Sequence, residues 1–383
     1  MKILIVMGGF FPGKKFGGPP VSVDNFCSLM RGQHECYLVT HNHDMGDKTP
    51  YEETCEEWVD RGNVKVKYLS DEDYGYSTFL CVVRVIRPDY IYLQSLFQNC
   101  VIPCLMIARK EKVKVMLAPR GELCTGAFKK KYKKLPYIWF LRTMGLVRDA
   151  QFQSTSDEET EAIKKYLGAS NAQIHYLTNI PSIPSGLTER DKKMAGTARF
   201  VFISRILWKK NLLSAIRFFK GVEGNVIFDI YGPKEDANYW TECEKVIDEL
   251  PQNVKVSYKG MLSHDEIHRT FNKYDAFLFP TLSENFGHVI AEALLTKCIP
   301  IISDQTPWTD MNEAGAGWAL PLKEEDAFRK AIQDVVAMNN EDILAKRKNI
   351  VAYTERKLKI ELLKEAYQQA FGWQAEKHHV DGC

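Results

Sequence analysis

The chain has 383 residues, of which 45% are hydrophobic and 26% charged, with a formal net charge of +2. That length exceeds what one hydrophobic core usually organises and predicts two domains. The near-neutral balance gives no overall nucleic-acid signature, so any basic patch must be local and no nucleic-acid partner is expected. Ten cysteines lie scattered without C-x-x-C pairs; they read as reduced thiols of a cytosolic protein, not as a disulfide framework.

In chain order, the apolar run that starts at Lys2 is too short for a signal-peptide core and is read as a first strand. Segments 3–7, 35–40, 64–69, 90–93, 113–117 and 151–154 carry the short apolar runs of strands, several apolar on both faces as a covered parallel sheet requires. Helices are expected between them. One begins near Pro19 or Pro20 and ends by Gly32, and another spans 157–167 and stops at Gly168. The run 100–108 is too short to cross a bilayer and contains Pro103, so no membrane span is expected. Asp71-Glu72-Asp73 has the look of an acidic metal triplet but sits in a polar segment before a helix, and is read as solvated charge.

Near Ile180 the texture changes to Pro181-Ser182-Ile183-Pro184-Ser185-Gly186. Proline, serine and glycine disfavour both helix and ladder there. The expected organisation is therefore a first domain over 1–183, a linker over 184–197 and a second domain over 198–354, followed by a terminal segment over 355–383. Strands are predicted at 200–203, 226–231, 254–258, 276–279 and 299–303, with helices between them. Both halves read as βαβ series, which makes the chain α/β. His264 and His268 have the i, i+4 spacing of a zinc motif, but Asp265 stands where a metalloprotease needs glutamate. Ser263 with Glu266 makes a capping box, which accounts for the segment without metal.

The stretch from Phe279 to Trp308 organises the second half. A buried strand leads through a polar turn into a helix with Val289, Ile290, Ala293 and Leu294 on its apolar face, capped by Asn285 or Ser283. Glu284 lies in the turn and Glu292 about two turns into the helix. Between them, Asn285-Phe286-Gly287 presents backbone N–H groups at a helix start, where unsatisfied donors favour an anion. With Pro280, Phe286, Gly287 and Ala293 in place, this stretch resembles the Glu-x7-Glu region of retaining glycosyltransferases of family 4, which have the GT-B fold: two Rossmann-like doubly wound domains facing a cleft, with a C-terminal helix crossing back to the first.

Further segments fit that resemblance. Ser204-Arg205-Ile206-Leu207-Trp208-Lys209-Lys210-Asn211 is similar to the family's GR-x-x-x-x-K motif, with Ser204 and Asn211 at positions the family fills with glycine. The resemblance implies that Arg205 and Lys210 hold the diphosphate of a nucleotide sugar, where fixed cations stabilise the charge that grows on the leaving group. It also implies that Glu284 holds hydroxyls of the transferred sugar and Glu292 the ribose diol. Gly232, after the strand ending at Tyr231, corresponds to a turn near the nucleotide base, or is a plain strand-ending turn. Gly17-Gly18 resembles the glycine loop near the donor phosphates and acceptor, a place a flexible turn would also fill. Arg120, in Pro119-Arg120-Gly121, is a candidate phosphate or acceptor contact, or a structural ion-pair partner of Glu122. Tyr92 and Gln94 stand where many members have histidines, and Ser95 where they have glycine.

The expected activity is transfer of a sugar from a nucleoside-diphosphate sugar to a carbohydrate or lipid-linked acceptor in surface polysaccharide biosynthesis, with no cofactor and no metal. Two alternatives stay open: a sugar-nucleotide-binding subunit that has lost turnover, motivated by Gln94, and a GT-B sugar-nucleotide epimerase. Five lysines in 129–134, next to Tyr137, Trp139 and Phe140, compose a surface suited to an anionic membrane. The expected location is the cytoplasm, with peripheral contact at the inner face of the cell membrane.

Overall fold

A computed structural model of the chain describes residues 1–13, 15–16, 18–52, 57–125 and 131–372. Two compact units form, one from Met1–Ile180 together with the chain from Ile360 onward, the other from Pro181–Lys359. The first contains β1 (Lys2–Val6), α1 (Gly18–Met30), β2 (Glu35–His41), β3 (Val59–Asp60), β4 (Lys65–Leu69), α2 (Tyr76–Ile86) and β5 (Tyr90–Gln94). It continues with α3 (Val101–Glu111), β6 (Lys114–Ala118), α4 (Lys131–Thr143), β7 (Gln151–Ser154), α5 (Asp157–Leu167) and β8 (Ile174–Tyr176).

Its sheet has the order β3-β4-β2-β1-β5-β6-β7-β8, parallel throughout except for β3 against β4. Alternate residues of the same strands enter opposite cores. Leu4, Val6, Ile91, Leu93 and Leu117 pack with α2, α3 and α5, whereas Ile3, Ile5, Tyr92, Met116 and Ala118 pack with α1. This two-sided burial is why the strands read as apolar runs. β3 and β8 went unforeseen because two or three residues are too few to show a period. α5 is bounded as expected: Ser156 Oγ accepts from the Glu159 amide at 3.2 Å, and Gly168 takes φ 72°.

The second unit contains β9 (Thr197–Ile203), α6 (Leu212–Arg217), β10 (Asn225–Tyr231), α7 (Ala237–Asp248), β11 (Val254–Tyr258), α8 (Ile267–Phe271) and β12 (Ala276–Phe279). Then follow α9 (His288–Leu295), β13 (Ile299–Ser303), β14 (Trp318–Leu320), α10 (Glu325–Ala337) and α11 (Asn340–Leu358). All six strands are parallel, in the order β11-β10-β9-β12-β13-β14. The order reverses between β9 and β12, and that switch point is where open α/β sheets bind ligands.

Segment 184–197, read from its composition as a linker, is held to the second unit. The Arg190 guanidinium donates to Asn272 Oδ1 at 3.0 Å and to the Tyr274 and Thr296 carbonyls at 2.9 and 2.6 Å, and Lys193 is buried against carbonyls of the same unit. Long cationic side chains anchor what proline and glycine keep irregular. Ser263 and Glu266 do form the capping box, with the Ser263 amide donating to Glu266 Oε2 at 2.9 Å. Burial pushes His268 down to about 4, so it stays neutral.

α11 runs to Leu358, Lys359 breaks it at φ 43°, and α12 (Ile360–Ala370) packs on the first unit. Tyr367 on α12 lies against Phe26, its hydroxyl donating to the Thr178 carbonyl at 3.0 Å and accepting from Gln153 Nε2 at 2.8 Å. Eight cysteines are free thiols, six of them buried; Cys55 and Cys383 lie outside the described residues. Among the described residues, no helix is long and apolar enough to cross a membrane. Tyr367→Phe removes both hydroxyl contacts while keeping the ring, and should lower stability by about 1–3 kcal/mol; denaturant melts of variant and parent measure it.

Candidate active site

The switch point of the second unit is built from the chain just past β9, β10 and β12. After β10, Gly232 takes φ 135°, and a Cβ there would lie 1.8 Å from the Ser204 carbonyl oxygen, so only glycine lets the two loops touch. The Ser204 amide donates to the Tyr231 carbonyl at 3.1 Å and the Ile206 amide to the Pro233 carbonyl at 2.8 Å. Segment 204–206 therefore extends the β9–β10 pairing beyond the sheet. Ser204 keeps a negative φ, so a side chain is tolerated where the resembled motif has glycine. Asn211 takes φ 57°, the left-handed region asparagine tolerates best after glycine, and its Nδ2 donates to the Pro280 carbonyl at 2.9 Å. Both departures from the motif are thus accommodated by backbone geometry.

Arg205 is 40% exposed and pairs with Glu235 at 3.3 Å. Lys210 ends a short 3₁₀ turn, Trp208–Lys210, and forms an ion pair with Glu284. The two side chains are only 12% and 16% exposed, and the Lys210 ammonium lies 5.5 Å from the centre of the Phe279 ring. The loop carrying Glu284 is pinned on both sides: the Leu282 amide donates to the Lys209 carbonyl at 2.9 Å, and the Glu284 amide to the Gln305 carbonyl at 3.0 Å. The structure thus joins two residues that the sequence assigned to separate tasks. Glu235 was missed, since it lies 30 residues along the chain on the neighbouring loop.

Neither Asn285 nor Ser283 caps the following helix. The cap is Gly287, at φ 74° and ψ 65°, with no side chain accepting from the first turn. Phe286 is held by Trp308, whose indole nitrogen donates to its carbonyl at 2.6 Å while the rings meet edge to face at 5.6 Å. α9 starts later than expected, so Glu292 lies one turn into it rather than two. Its side chain is 3% exposed, and among the described residues no donor or cation partners its carboxylate. Burial pushes it up to about 7.

In the first unit, Arg120 takes φ 54° and fans over a buried polar cluster. Its Nε donates to Gln94 Oε1 at 2.9 Å and its Nη1 to Asn179 Oδ1 at 2.6 Å. The ion pair with Glu122 is not made. Glu122 instead accepts from Ser95 Oγ and the Leu96 amide, each at 2.7 Å, and so holds Ser95 at φ 97°, the conformation a glycine would adopt. Tyr92 donates to Gln153, which reaches Tyr367. Gln94 is 1% exposed, and its Nε2 has no hydrogen-bond partner. Asn179 escaped notice; its one signal is a polar side chain between a strand end and Pro181. Gly18 opens α1, while Gly17 lies outside the described residues.

Residues 188–357 match the family described as Glycosyl transferases group 1. No curated protein sequence matches the chain. Among solved structures, the chain is similar to Anabaena Alr3699/HepE in complex with UDP and glucose, at TM-score 0.69 and 14% identity over 97% of this chain and 99% of that one. It is also similar to WaaG, a glycosyltransferase involved in lipopolysaccharide biosynthesis, at TM-score 0.63 and 11% identity over 97% and 100%. A third is the trehalose-6-phosphate synthase OtsA, at TM-score 0.67 and 11% identity over 97% and 99%. At such identities the likeness speaks for fold, and the family match speaks for the second unit. The chain thus has the GT-B fold, residues 188–357 form a glycosyl transferases group 1 domain, and the protein is a glycosyltransferase.

Proposed function

We propose that the protein is a retaining, family 4 type enzyme that transfers a sugar from a nucleoside-diphosphate sugar to a carbohydrate or lipid-linked acceptor in surface polysaccharide biosynthesis. The observation that carries this reading is the largely buried Lys210–Glu284 pair together with the buried Glu292 carboxylate on the following helix, all inside the matched domain. The presence of UDP and glucose in HepE supports a nucleotide-sugar donor.

Arg205 and Lys210 differ in how they meet the diphosphate. An exposed ion pair such as Arg205–Glu235 is worth about 0–1 kcal/mol, so the guanidinium can exchange Glu235 for phosphate at little cost. Breaking a largely buried pair leaves a charge uncompensated at about 3–5 kcal/mol, so Lys210 keeps Glu284 and the two meet the donor together. The ammonium faces the leaving diphosphate and Glu284 accepts from hydroxyls of the sugar. The helix start after Gly287 adds to the anion's stabilisation, and Gly232 keeps the neighbouring turn tight beside the base. As the bond from the anomeric carbon to phosphate breaks, its electron pair goes to the diphosphate. The diphosphate then takes the acceptor proton as the new bond forms on the same face. Cationic side chains supply the charge compensation, and no metal or cofactor enters the step. Arg120, with Gly17 and Gly18, serves the phosphate and acceptor side from the first unit.

A second reading, a subunit that binds sugar nucleotides without turning them over, is favoured by one observation: Gln94 stands where many relatives have histidine and gives its carbonyl to Arg120. Slow hydrolysis of UDP-, GDP- and ADP-sugars, which needs no acceptor, separates the two. Hydrolysis of one donor supports the enzyme, and tight binding without hydrolysis supports the binder.

We place the protein in the cytoplasm, against the inner face of the membrane. α4 buries Ile138 and Leu141 and exposes Tyr132, Leu135, Trp139 and Phe140 on the other side. Lys129 and Lys130 lie outside the described residues, as do the side chains of Lys131 and Lys133. Each lysine near an anionic surface is worth about 1 kcal/mol. The protein should sediment with anionic but not neutral liposomes and be released by salt, and replacement of all five lysines by glutamine together with Trp139→Ser should abolish this.

Arg205→Ala and Lys210→Ala should each lower kcat by on the order of a hundredfold or more, with a smaller effect on donor binding, because diphosphate charge peaks in the transition state. Glu284→Gln should depress kcat, whereas Glu292→Gln should mainly raise the donor KM. Steady-state kinetics with the hydrolysed donor distinguish these profiles.

Glu292 also predicts a pH dependence. Its folded value of about 7 lies above the ordinary 4.5, so the native state loses stability as pH rises from about 4.5 through 7, where the unfolded chain ionises first. Glu292→Gln should therefore be more stable than the parent above pH 7, by at most on the order of 3 kcal/mol, and equal to it below about pH 4.5. Melts at both pH values check this. Ribose hydroxyls donating to the carboxylate favour its charged form, so donor binding near pH 7 should release a proton in the parent and not in Glu292→Gln, measurable by calorimetry in buffers of different ionisation enthalpy.

A further inference from the structure

Away from every residue assigned above, two histidines and an aspartate converge at the carboxyl-terminal edge of the first sheet. β2 ends on His41, and Asp71 follows β4 by two residues. The strands are parallel neighbours with His41 opposite Leu69, and the Asn42 amide extends the pairing to the Leu69 carbonyl at 2.8 Å. His43, two residues past His41, comes back over the same carboxylate. His41 Nδ1 lies 3.1 Å and His43 Nε2 2.9 Å from Asp71 Oδ1, and the three ligand atoms all lie within 4.8 Å of one another. Asp71 is exposed, as its sequence context suggested, but it faces two histidines. Asp73 turns away to accept from Ser70 Oγ at 2.7 Å, so the acidic triplet does not act together.

Two details suit the cluster to a cation. His43 Nδ1 lies 3.0 Å from the Asp44 carbonyl, an acceptor only, so that nitrogen carries the hydrogen and leaves Nε2 to face Asp71, as a hydrogen-bond donor when the ring is protonated and as a metal ligand when it is not. His41 Nδ1 is buried and, despite its closeness to Asp71, makes no hydrogen bond. Three such atoms meet at these distances only around a positive charge, which is either a proton on an imidazole or a metal ion held by all three. A ligating imidazole whose other nitrogen donates to a backbone carbonyl is the usual second-sphere arrangement at metal centres. Both rings are held in place, His43 by that carbonyl and His41 by stacking on Tyr74 at 3.8 Å between centroids.

We propose that His41 Nδ1, His43 Nε2 and Asp71 Oδ1 bind a divalent cation of the zinc class. Tetrahedral bonds of about 2.0–2.2 Å place ligand atoms about 3.3–3.6 Å apart, so the carboxylate retreats by a few tenths of an ångström and the two imidazole nitrogens, within 4.8 Å of each other, adjust to the same spacing. Two imidazoles and one carboxylate select zinc or its neighbours over calcium and magnesium, which take oxygen donors. Asp71 is 65% exposed, which leaves the fourth position to water. The cation ties the end of β2 to the end of β4, and so stabilises the loop that follows β2.

The test uses the full chain, stripped with chelator and kept reduced. Zn²⁺ titration followed by calorimetry should show saturable binding at one site, weakened at least about tenfold in His43→Ala and in Asp71→Asn, whose exposed side chain makes it the variant safest for folding. Zn²⁺ should raise the melting temperature of the parent but not of the His41→Ala/His43→Ala double variant. Co²⁺ in place of Zn²⁺ should give tetrahedral visible absorption without thiolate charge-transfer bands. No saturable binding, affinity unchanged in the variants, or thiolate bands would each overturn the proposal. The last two results would assign the metal instead to His378 and His379 or to the cysteines.

Discussion

The ion pair between Lys210 and Glu284 spans the point where the second sheet reverses its strand order, and the rest of the site is arranged around it. Lys210 follows β9 and Glu284 follows β12, which are adjacent strands although some 70 residues separate the two side chains. Around the pair, the amides of Leu282 and Glu284 fix one loop, while Gly232 lets the other approach Ser204. A pair this buried is not worth much to stability by itself, since desolvation offsets most of the Coulomb attraction. Its value lies in holding a positive and a negative group in fixed register, able to meet a donor that presents phosphate on one side and hydroxyls on the other.

Glu292 shows the cost of such an arrangement. A carboxylate buried without a donor is an unfavourable element of the empty protein, and burial alone raises it to about 7. Helix α9 could carry glutamine there without strain. A group that destabilises the apo state while facing a proposed diol is what a binding site costs in a chain whose stability margin is small.

The first unit solves a different problem. Tyr92, Gln94, Arg120, Gln153, Asn179 and Tyr367 make a polar cluster inside an otherwise apolar core, its members supplied by β5, β7, the chain after β6 and β8, and α12. Tyr367 arrives from the far end of the chain, which makes the terminal helix part of this unit's interior. Ser95, bent into a glycine-like conformation by Glu122, keeps the strand end shaped where the resembled families use glycine.

The sequence by itself determined the two βαβ series, because apolar periodicity and turn chemistry act over about ten residues and are written locally. It likewise determined which residue types follow the strands: Arg205, Lys210, Glu284 and Arg120 in the turns, and Glu292 in the helix after β12, were all legible from their neighbours. Partnership was not. That Lys210 meets Glu284, that Arg120 takes Gln94 and Asn179 and leaves Glu122 to Ser95, and that His41, His43 and Asp71 converge, all follow from which strands lie side by side. Strand order in a parallel sheet is set by crossovers and by burial on both faces, so it carries no short-range signal. The same holds for caps and boundaries. Gly287 rather than Asn285 starts α9, and Arg190 binds a composition-poor segment to the second unit, because the competing local preferences were equal and long-range hydrogen bonds decided between them.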